Sequence, residues 1–276
     1  MHELERQKII LSAIQEKPVA TVAELVELTG ASEATIRRDI ASLHVDNKLK
    51  RVRGGAEAFH PPVHTPLAGR PFSINQNLHV VHKRAIAREA VALCNDGDDV
   101  IINGGTTTYQ MVHLLCARRM QIFTNSFPIA EHLLQHSKNQ ITLPGGTLYR
   151  EQKIILSPFE NDVTRNFCAH RMFMGSHSVG RLGLMESDPL VIQSEQKLMS
   201  QADELIVLAD ASKFSRRSSL LICSLDAIHT LITDERVEDS SVAMLEQRGV
   251  KVIVATLKSS SGNAEKFPEE LPVATA

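Results

Sequence analysis

A short stretch near the N-terminus constrains the fold of this chain more than any other part of its sequence. Thr21 and Glu24 have the spacing of a capping box, in which a threonine hydroxyl and a glutamate carboxylate satisfy backbone amides where a helix begins. Gly30 can take the left-handed conformation that ends this helix in a turn, and the hydroxyl of Ser32 can cap the next helix. The buried stripe of that next helix consists of Ile36, Ile40 and Leu43. The spacing therefore predicts two short helices joined by a tight turn.

A further helix and a basic wing are predicted on either side of this pair. Residues 3–15 place apolar side chains at helical spacings, and residues 49–53 alternate before a Gly-Gly pair, which predicts a short strand and a turn. Residues 34–55 contain six basic and two acidic side chains, a net charge of +4, whereas the whole chain carries −2. Residues 1–56 are therefore predicted to form a winged helix-turn-helix with a basic face.

The exposed side of the second helix of the pair, together with the wing, carries groups that suit DNA. A helix fits the major groove, where phosphate contacts fix its register and base edges supply sequence information. A solvated charged surface is the alternative interpretation, but the caps, the turn glycine, the buried stripe and the basic face all agree with DNA binding. The predicted DNA-binding residues are Ser32, Thr35, Arg37, Arg38, Ser42, Lys48, Lys50, Arg51 and Arg53.

After residue 56 the character of the sequence changes. Residues 57–72 contain four prolines, which predicts a semi-rigid linker. Residues 73–258 alternate buried strands with amphipathic helices, which predicts an α/β domain with a mostly parallel sheet covered by helices. Strands are predicted at residues 100–103, 121–124, 141–143, 172–174, 205–209, 231–233 and 250–254, and helices at 107–117, 129–136, 190–202 and 241–247. Residues 259–276 are polar and predicted to be disordered.

The composition argues against several other classes of protein. No stretch approaches the ~20 apolar residues of a membrane span and no signal peptide is recognisable, so a cytoplasmic location is expected. The four cysteines are widely spaced without a C-x-x-C pair, so neither a zinc site nor a disulfide framework is predicted. His79 with His82, and His60 with His64, lack a third ligand at suitable spacing and are interpreted as solvated. We therefore predict no metal, no cofactor and no catalytic residue.

A glycine-threonine loop at residues 103–108 follows the first predicted strand of the α/β domain. Glycine allows a ligand to approach the backbone, amides at the start of a helix attract an anion, and threonine hydroxyls add donors, so a phosphate would fit. No lysine follows the glycines in the position that a Walker motif requires. Taken alone, this loop is explained equally well as a structural strand-to-helix turn.

Polar groups also follow other predicted strands, and open parallel sheets bind ligands at the edge where their strands end. Lys213 could pair with an anionic ligand, and Asn125 and Asp210 could bind sugar hydroxyls. A helix cap or a turn explains each group by itself, but together they favour a binding site. The predicted effector-binding residues of these loops are Asn103, Gly104, Gly105, Thr106, Thr107, Thr108, Thr124, Asn125, Gly145, Gly146, Asp210 and Lys213.

Two segments, ASEATIRRDIASL and KLKRVRGGAEAF, resemble the N-terminal domain of the DeoR family of bacterial repressors, and the resemblance extends through most of the α/β region. Within the family, MQIFTNSFPIAEHLL and LPGGTLYREQKIILSP look most like the repressors of L-ascorbate utilisation. The resemblance implies a sensor domain similar in fold to ribose-5-phosphate isomerase. It also implies a homo-oligomer, dimer or tetramer, on paired operators, which represses a sugar operon until a sugar phosphate binds. By the same resemblance the matching loops surround the effector, and Glu195 and Lys197 join them.

The leading hypothesis is a DNA-binding repressor whose α/β domain responds to a phosphorylated sugar or sugar acid. L-Ascorbate 6-phosphate is the effector expected from the subgroup. One alternative is that the domain retains sugar-phosphate isomerase activity, with Asp210, Glu195 and Lys213 as candidates for proton transfer, although likeness of fold does not establish chemistry. A second alternative is an activator, which differs from a repressor in operator position and not in any feature of this sequence.

Overall fold

The computed structural model describes residues 2–16, 19–59, 71–216 and 218–257. The chain divides into two compact units, Met1–Leu78 and His79–Ala276. Most of the predicted linker and all of the predicted disordered tail lie outside the described residues, as do His60 and His64. No helix in the described part of the chain is long and apolar enough to cross a membrane.

The first unit contains four helices and three short strands within its described residues. The helices are α1 (Glu3–Glu16), α2 (Val22–Thr29), α3 (Glu33–Val45) and α4 (Phe72–Asn75), and the strands are β1 (Val19–Thr21), β2 (Lys50–Val52) and β3 (Gly55–Glu57). The strands form an antiparallel sheet in the order β1-β3-β2. One apolar core, which includes Ile10, Leu25 and Ile40, joins the first three helices. The predicted winged helix-turn-helix is confirmed.

The helix ends of this unit follow the signals in the sequence. The Thr21 hydroxyl accepts a hydrogen bond from the Glu24 amide at 3.2 Å, and the Glu24 carboxylate accepts one from the Thr21 amide at 2.8 Å. The predicted capping box is therefore present. Gly30 has a φ of 65° and ends α2, while the Ser32 hydroxyl accepts from the Thr35 amide in the first turn of α3.

The wing has three strands, whereas the sequence predicted one strand and a turn. The additional strand, β1, pairs antiparallel with β3 and places Ala20 opposite Ala56. A Cβ on Gly55 would lie 2.0 Å from the carbonyl oxygen of Ala20, so glycine is the residue that allows this pairing. The sequence gives no signal for β1 because three residues are too few to show a strand periodicity.

The second unit contains twelve strands and five α-helices within its described residues. The strands are β4 (Asp99–Ile102), β5 (Gln121–Thr124), β6 (Gln140–Thr142), β7 (Thr147–Tyr149), β8 (Ile154–Leu156), β9 (Ala169–Gly175), β10 (Ser178–Gly180), β11 (Gly183–Glu186), β12 (Ala202–Leu208), β13 (Leu220–Cys223), β14 (Thr230–Asp234) and β15 (Lys251–Ala255). The helices are α5 (Val80–Ala92), α6 (Val112–Leu115), α7 (Phe127–His136), α8 (Pro189–Met199) and α9 (Asp239–Glu246). Short 3₁₀ turns span Thr108–Met111, Val163–Asn166, Ala211–Lys213 and Leu225–Ala227.

A seven-stranded sheet organises this unit in the order β15-β14-β12-β9-β4-β5-β6. All neighbouring strands in it are parallel. Each of the seven predicted strands corresponds to one of these strands, so the predicted parallel α/β fold is confirmed. Within this sheet the chain starts at the central strand β4, continues outward through β5 to β6, and then returns to β9 on the other side of β4. The strand order therefore reverses between β4 and β9, where open α/β sheets leave a crevice at the carboxyl ends of their strands.

Apolar cores cover both faces of this sheet. Ile102 and Phe173 belong to one core, with side chains from α5, α6 and α7. Ile101 and Met172 belong to the other, with side chains from α8, α9 and the strands β10, β11 and β13. Adjacent residues of one strand thus enter opposite cores, as the alternation of a strand requires.

Two smaller antiparallel elements have no counterpart in the prediction. The strands β10, β11 and β13 form a three-stranded sheet, and β7 with β8 forms a hairpin. Each of these strands has only three or four residues. The predicted helix at residues 107–117 is a 3₁₀ turn followed by the short α6. Short elements such as these depend on tertiary contacts more than on local sequence pattern.

Candidate DNA-binding surface and effector site

The predicted DNA-binding side chains lie on α3, at its N-cap, and on the wing. Eight of the nine are exposed, and Thr35 is partly buried. The hydroxyls of Thr35 and Ser32 lie 2.9 Å apart and take part in the cap of α3. These two hydroxyls therefore have a structural partner already, which leaves the arginines and lysines as the main groups available for DNA.

Some of these cations have carboxylate neighbours. Exposed ion pairs join Arg37 with Glu33 at 3.3 Å, Lys48 with Asp46 at 3.4 Å and Lys50 with Glu57 at 3.4 Å. Such pairs contribute only about 0–1 kcal/mol in water, so a phosphate can replace the carboxylate at little cost. Within the described residues, no salt bridge is formed by Arg38, Arg51 or Arg53.

Asp39 lies on the buried side of α3 and not on its exposed face. Its buried carboxylate accepts hydrogen bonds from Arg6 Nε at 2.6 Å and from Arg6 Nη2 at 3.0 Å, which ties α3 to α1. Asp39 is one of the two acidic residues counted in the net charge of residues 34–55. The surface that faces solvent is therefore more basic than the sequence count indicates.

A cleft of about 540 Å³ lies between α3 and the wing. Arg37, His44, Arg51 and Arg53 line it. His44 was not predicted as a DNA-binding residue, and its Nδ1 lies 3.2 Å from the carbonyl oxygen of Leu49. Three guanidinium groups around a concave surface match the charge and hydrogen-bonding needs of a phosphodiester backbone.

At the reversal point of the large sheet, the structure brings several predicted effector-binding residues together. Asn103 Nδ2 donates to Glu195 Oε1 at 2.9 Å, and the Gly104 amide donates to Asn125 Oδ1 at 2.8 Å. The Thr108 hydroxyl donates to the Asn103 carbonyl at 2.8 Å. The loop after β4 is thereby joined to the end of β5 and to α8.

Two other threonines of the predicted site are buried in the scaffold. The Thr124 hydroxyl donates to the carbonyl of Ile102 at 2.6 Å, and Thr107 is 4% exposed. Thr106 is more exposed, and its hydroxyl accepts a hydrogen bond from the ammonium of Lys83 at 2.9 Å. Of the threonines in the loop, Thr106 is therefore the one best placed for a ligand.

Close packing accounts for two of the predicted glycines without a ligand. A Cβ on Gly104 would lie 2.2 Å from Ile154 Cγ2, and a Cβ on Gly146 would lie 2.2 Å from the Leu156 carbonyl oxygen. The first contact packs the β7–β8 hairpin against the loop after β4, and the second lies within the hairpin itself. Gly145, in contrast, is exposed, and a Cβ there would meet nothing within 4 Å.

Lys83 is a buried cation that the prediction omitted. It lies on α5 and is only 2% exposed, although it donates to Thr106 as described. The sequence contains a signal for it, because Lys83, Ile86, Ala87 and Ala90 have the spacing of the buried stripe of a helix. A lysine on such a stripe must find polar partners inside the protein.

The charges of Lys83 and Lys213 both lower the pKa of Asp210, which follows β12. The Asp210 carboxylate accepts from the Ser212 hydroxyl and the Ser212 amide. Burial alone would raise the pKa of Asp210, but Lys213, Ser212 and Lys83 lower it below its ordinary value. Asp210 is therefore an anion at neutral pH between two lysines, so this end of the sheet combines positive charge with a hydrogen-bond acceptor.

The predicted solvated state of His79 and His82 is wrong. His82 Nδ1 lies 3.6 Å from Oδ1 of the buried Asp234, and His79 Nδ1 lies 3.3 Å from Arg236 Nη1. Asp234 in turn accepts from Arg236 Nε at 2.6 Å. Both histidines thus contact the Asp234–Arg236 ion pair and are not solvated. In the part of the chain that the structure describes, no cluster of three or more His, Cys, Asp or Glu residues could hold a metal ion.

Lys197 lies apart from this group of residues. It is two residues beyond Glu195 on α8, so the two side chains leave the helix about 200° apart. Its ammonium donates to the Phe159 carbonyl at 2.7 Å and pairs with Asp162. Burial alone would raise the pKa of Asp162, but the hydrogen bond from Lys197 and others lower it to about 2. Lys197 lines, with Asn125, a neighbouring cavity of about 900 Å³.

Glu195 is a buried acid whose carboxyl group is only partly hydrogen-bonded. It is 6% exposed, and Oε2 has no hydrogen-bond partner among the described residues. Burial, together with the nearby charge of Glu186, raises the pKa of Glu195 to about 8. Burial also raises the pKa of Glu186, which accepts from the Ser187 amide at 2.7 Å. Glu195 is therefore largely protonated at neutral pH, unlike Asp210.

Two family models match the chain. The model of the DeoR-like helix-turn-helix domain matches residues 6–61. The model of the DeoR C terminal sensor domain matches residues 78–235. Between them, the two matched ranges contain the basic cleft of the first unit and the polar loops of the second.

Curated relatives match over almost the full chain. The HTH-type transcriptional regulator UlaR of Shigella dysenteriae serotype 1 (strain Sd197) is 34% identical over 255 residues, which cover 92% of this chain and 99% of that protein. UlaR of Escherichia coli (strain K12 / DH10B) has the same identity and coverage. Both of these relatives are named as regulators and not as enzymes.

Solved structures match part of the chain. Ribose 5-phosphate isomerase A of Methanocaldococcus jannaschii is 20% identical, with a TM-score of 0.36, over 48% of this chain and 53% of that one. The eIF2B delta subunit of Chaetomium thermophilum is 16% identical, with a TM-score of 0.38, over 50% of each chain. The chain thus spans about half the length of each of these two structures.

Proposed function

The chain belongs to the DeoR family of helix-turn-helix transcriptional regulators, and we propose that it is a repressor of a carbohydrate-utilisation operon whose effector is a phosphorylated sugar or sugar acid. In this proposal the first unit binds operator DNA and the second unit binds the effector. The protein acts in the cytoplasm as a homo-oligomer, dimer or tetramer, on paired operator sites.

The basic cleft supports the DNA-binding half of the proposal. Arg37, Arg51 and Arg53 converge on it, and the exposed Arg38 extends the same charge along α3. Guanidinium groups on the helix can read guanine edges in the major groove, while those on the wing bind phosphates. The proposed DNA-binding set keeps Lys48, Lys50 and Ser42 as exposed neighbours of this cleft.

One observation carries the effector half of the proposal: a buried lysine contacts the glycine-threonine loop where the order of the sheet reverses. Lys83 and Lys213 supply positive charge there, and Thr106 supplies a hydroxyl. Asn125 and Asp210 offer acceptors for sugar hydroxyls. A phosphate near the lysines and a polyhydroxyl body toward Asn103 and Asn125 would match the distribution of charge.

Gel-shift titration of the full-length protein on its own promoter tests the proposal. The effector panel contains L-ascorbate 6-phosphate and other pentose and hexose phosphates, and each ligand is first checked for binding by thermal shift. A ligand at 100 times its Kd adds about 2.7 kcal/mol of stability to the folded state. We expect a ligand that raises thermal stability also to change operator affinity. Unchanged operator affinity with every ligand that binds would refute the switch.

The same protein should show no turnover of D-ribose 5-phosphate. The named relatives are transcriptional regulators, and the proposal assigns Asp210, Glu195 and Lys213 to binding and not to proton transfer. Measurable isomerisation, lost in an Asp210→Asn variant, would instead support a retained enzyme activity.

A further inference from the structure

One carboxyl oxygen of Glu195 has no hydrogen-bond partner among the described residues. Oε1 accepts from Asn103 Nδ2 at 2.9 Å, but Oε2 is buried without a hydrogen-bond partner among the described residues. A buried polar atom left in this state destabilises the folded protein, because its lost hydration is not replaced. Such atoms are rare enough in native proteins that each calls for a missing partner.

The surroundings of Glu195 show what that partner can be. The titratable groups that face it are Glu186 on β11 and Cys223 on β13, and neither is a cation. The cations of the site affect other carboxylates: Lys213 lowers the pKa of Asp210 and of Glu186, and Lys83 lowers the pKa of Asp210. The negative charge of Glu186, with no cation in contact with Glu195, repels a ligand anion. An uncharged oxygen is not repelled in this way and can accept a hydrogen bond from a protonated carboxyl.

We propose that the Glu195 carboxyl is protonated on Oε2 and donates a hydrogen bond to an uncharged hydroxyl or carbonyl oxygen of the effector. This inference rests on the proposed function and narrows it. The site then combines cations at Lys83 and Lys213 with a neutral donor at Glu195, and the charge of Glu186 acts on Glu195 while Lys213 faces Glu186. An effector that fits these groups is a phosphorylated sugar or polyol, whereas a phosphorylated sugar acid would place its carboxylate beside the charge of Glu186.

The pKa of Glu195 is consistent with this assignment. Burial and Glu186 raise it to about 8, so the proton is present at neutral pH. Cys223 stays neutral as well, since burial raises its thiol pKa to about 11. Lys213 and His177 face Glu186: the charge of Lys213 lowers the pKa of Glu186, and His177 Nδ1 lies 3.6 Å from Glu186 Oε1. Deprotonation of Glu195 at alkaline pH would then remove the donor and add a negative charge.

A matched pair of probes tests the preference. D-Glucitol 6-phosphate and 6-phospho-D-gluconate have the same chain length and differ at C1, which carries a hydroxyl in the first and a carboxylate in the second. Calorimetric titration of the full-length protein at pH 7 should give a Kd at least about tenfold lower for the glucitol derivative. Equal affinities, or a preference for the gluconate, would overturn the inference and leave the proposed repressor function standing.

The pH dependence of binding separates Glu195 from the other groups. Between pH 7 and pH 9 the ligand phosphate remains a dianion, because its second pKa is about 6. The Kd of the wild-type protein for D-glucitol 6-phosphate should rise about tenfold over this interval as the proton leaves Glu195. Glu195→Gln keeps a donor at all pH values and should bind at pH 7 within a few-fold of wild type, with no such rise. The same rise in both proteins would contradict the inference.

A measurement without ligand completes the test. The infrared spectrum of the wild-type protein at pH 7 should contain the carbonyl band of a buried protonated carboxyl, and the Glu195→Gln variant should lack it. Glu204→Gln is the control, because Glu204 is partly exposed, pairs with Arg171 at 3.0 Å and should contribute no such band. Absence of the band in wild type refutes the inference whatever the probes do. The band together with binding of neither probe refutes the ligand half of the inference, and if no other sugar phosphate binds either, the proposed effector class is refuted as well.

Discussion

The buried Glu195 should make the stability of the second unit depend on pH in a way that one substitution removes. Its pKa is about 8 in the folded protein against an ordinary value of 4.5. The folded state therefore holds a proton that the unfolded chain has released at intermediate pH. This contribution to stability is fully present below about pH 4.5 and is lost as the pH rises through about 8.

The size of the effect follows from the linkage of proton binding to folding. One proton held in the folded state alone changes the free energy of unfolding by about 1.4 kcal/mol per pH unit. Between about pH 5.5 and pH 7.5 the wild-type unit should lose about 2–3 kcal/mol through this group. Glu195→Gln has no proton to lose, so its free energy of unfolding should lack this decline.

Tyrosine fluorescence gives a clean assay. The chain has two tyrosines and no tryptophan, and Tyr109 and Tyr149 both lie in the second unit. Urea unfolding followed by this signal thus reports on the unit that contains Glu195. The difference in the free energy of unfolding between wild type and Glu195→Gln is measured across the pH interval, with Glu204→Gln as the control. A difference that does not vary with pH would refute the assigned protonation.

Other substitutions test the remaining contacts. If Arg51 binds a phosphate, Arg51→Ala should weaken operator binding for all sequences and reduce the salt slope by about 1. If Arg38 reads a base, Arg38→Ala should cost about 1–3 kcal/mol of binding free energy and relax sequence specificity. Filter binding at several salt concentrations, on native and altered operators, checks both. Lys83→Met should abolish stabilisation by sugar phosphates in thermal-shift assays while operator affinity without ligand stays unchanged, and retained stabilisation would exclude Lys83 from the anion site. Gly104→Ala should destabilise the second unit, because the new methyl group would lie 2.2 Å from an Ile154 side-chain carbon, and urea unfolding should show no comparable loss for Gly145→Ala.

The sequence predicted the large sheet well because of how parallel strands are buried. Strands covered on both faces are continuous apolar runs, and the runs at residues 100–103 and 205–209 stand out between amphipathic helices. The helix caps could be predicted equally well, because Thr21 and Glu24 form their capping hydrogen bonds within a single turn. The three-residue strand β1 and the β10-β11-β13 sheet were not, because their pairing depends on contacts between distant segments.

The candidate effector site was predicted in part for the same reason. Loops at the ends of parallel strands meet at one edge, so Asn103, Asn125 and Asp210 could be grouped from the order of strands alone. Lys83 reaches the site from a helix face, across 23 residues of sequence, and only the packing of α5 shows where it points. The glycine-threonine pattern could not distinguish the packing role of Gly104 from a binding role, because both require the absence of a side chain.

The first turn of α5 contains the Lys83 contact with which the proposed effector anion would compete. This helix begins at Val80, two residues after Leu78, which is the last residue of the first unit. His79 at its N-cap has a φ of 54° and contacts Arg236, and Lys83 one turn later donates to Thr106. A ligand anion that competes with Thr106 or Asp210 for Lys83 would change the contacts of this turn. A ligand shifts an equilibrium only by its difference in affinity for two states, so the proposed effector would act through this turn only if these contacts differ between the DNA-binding and released forms.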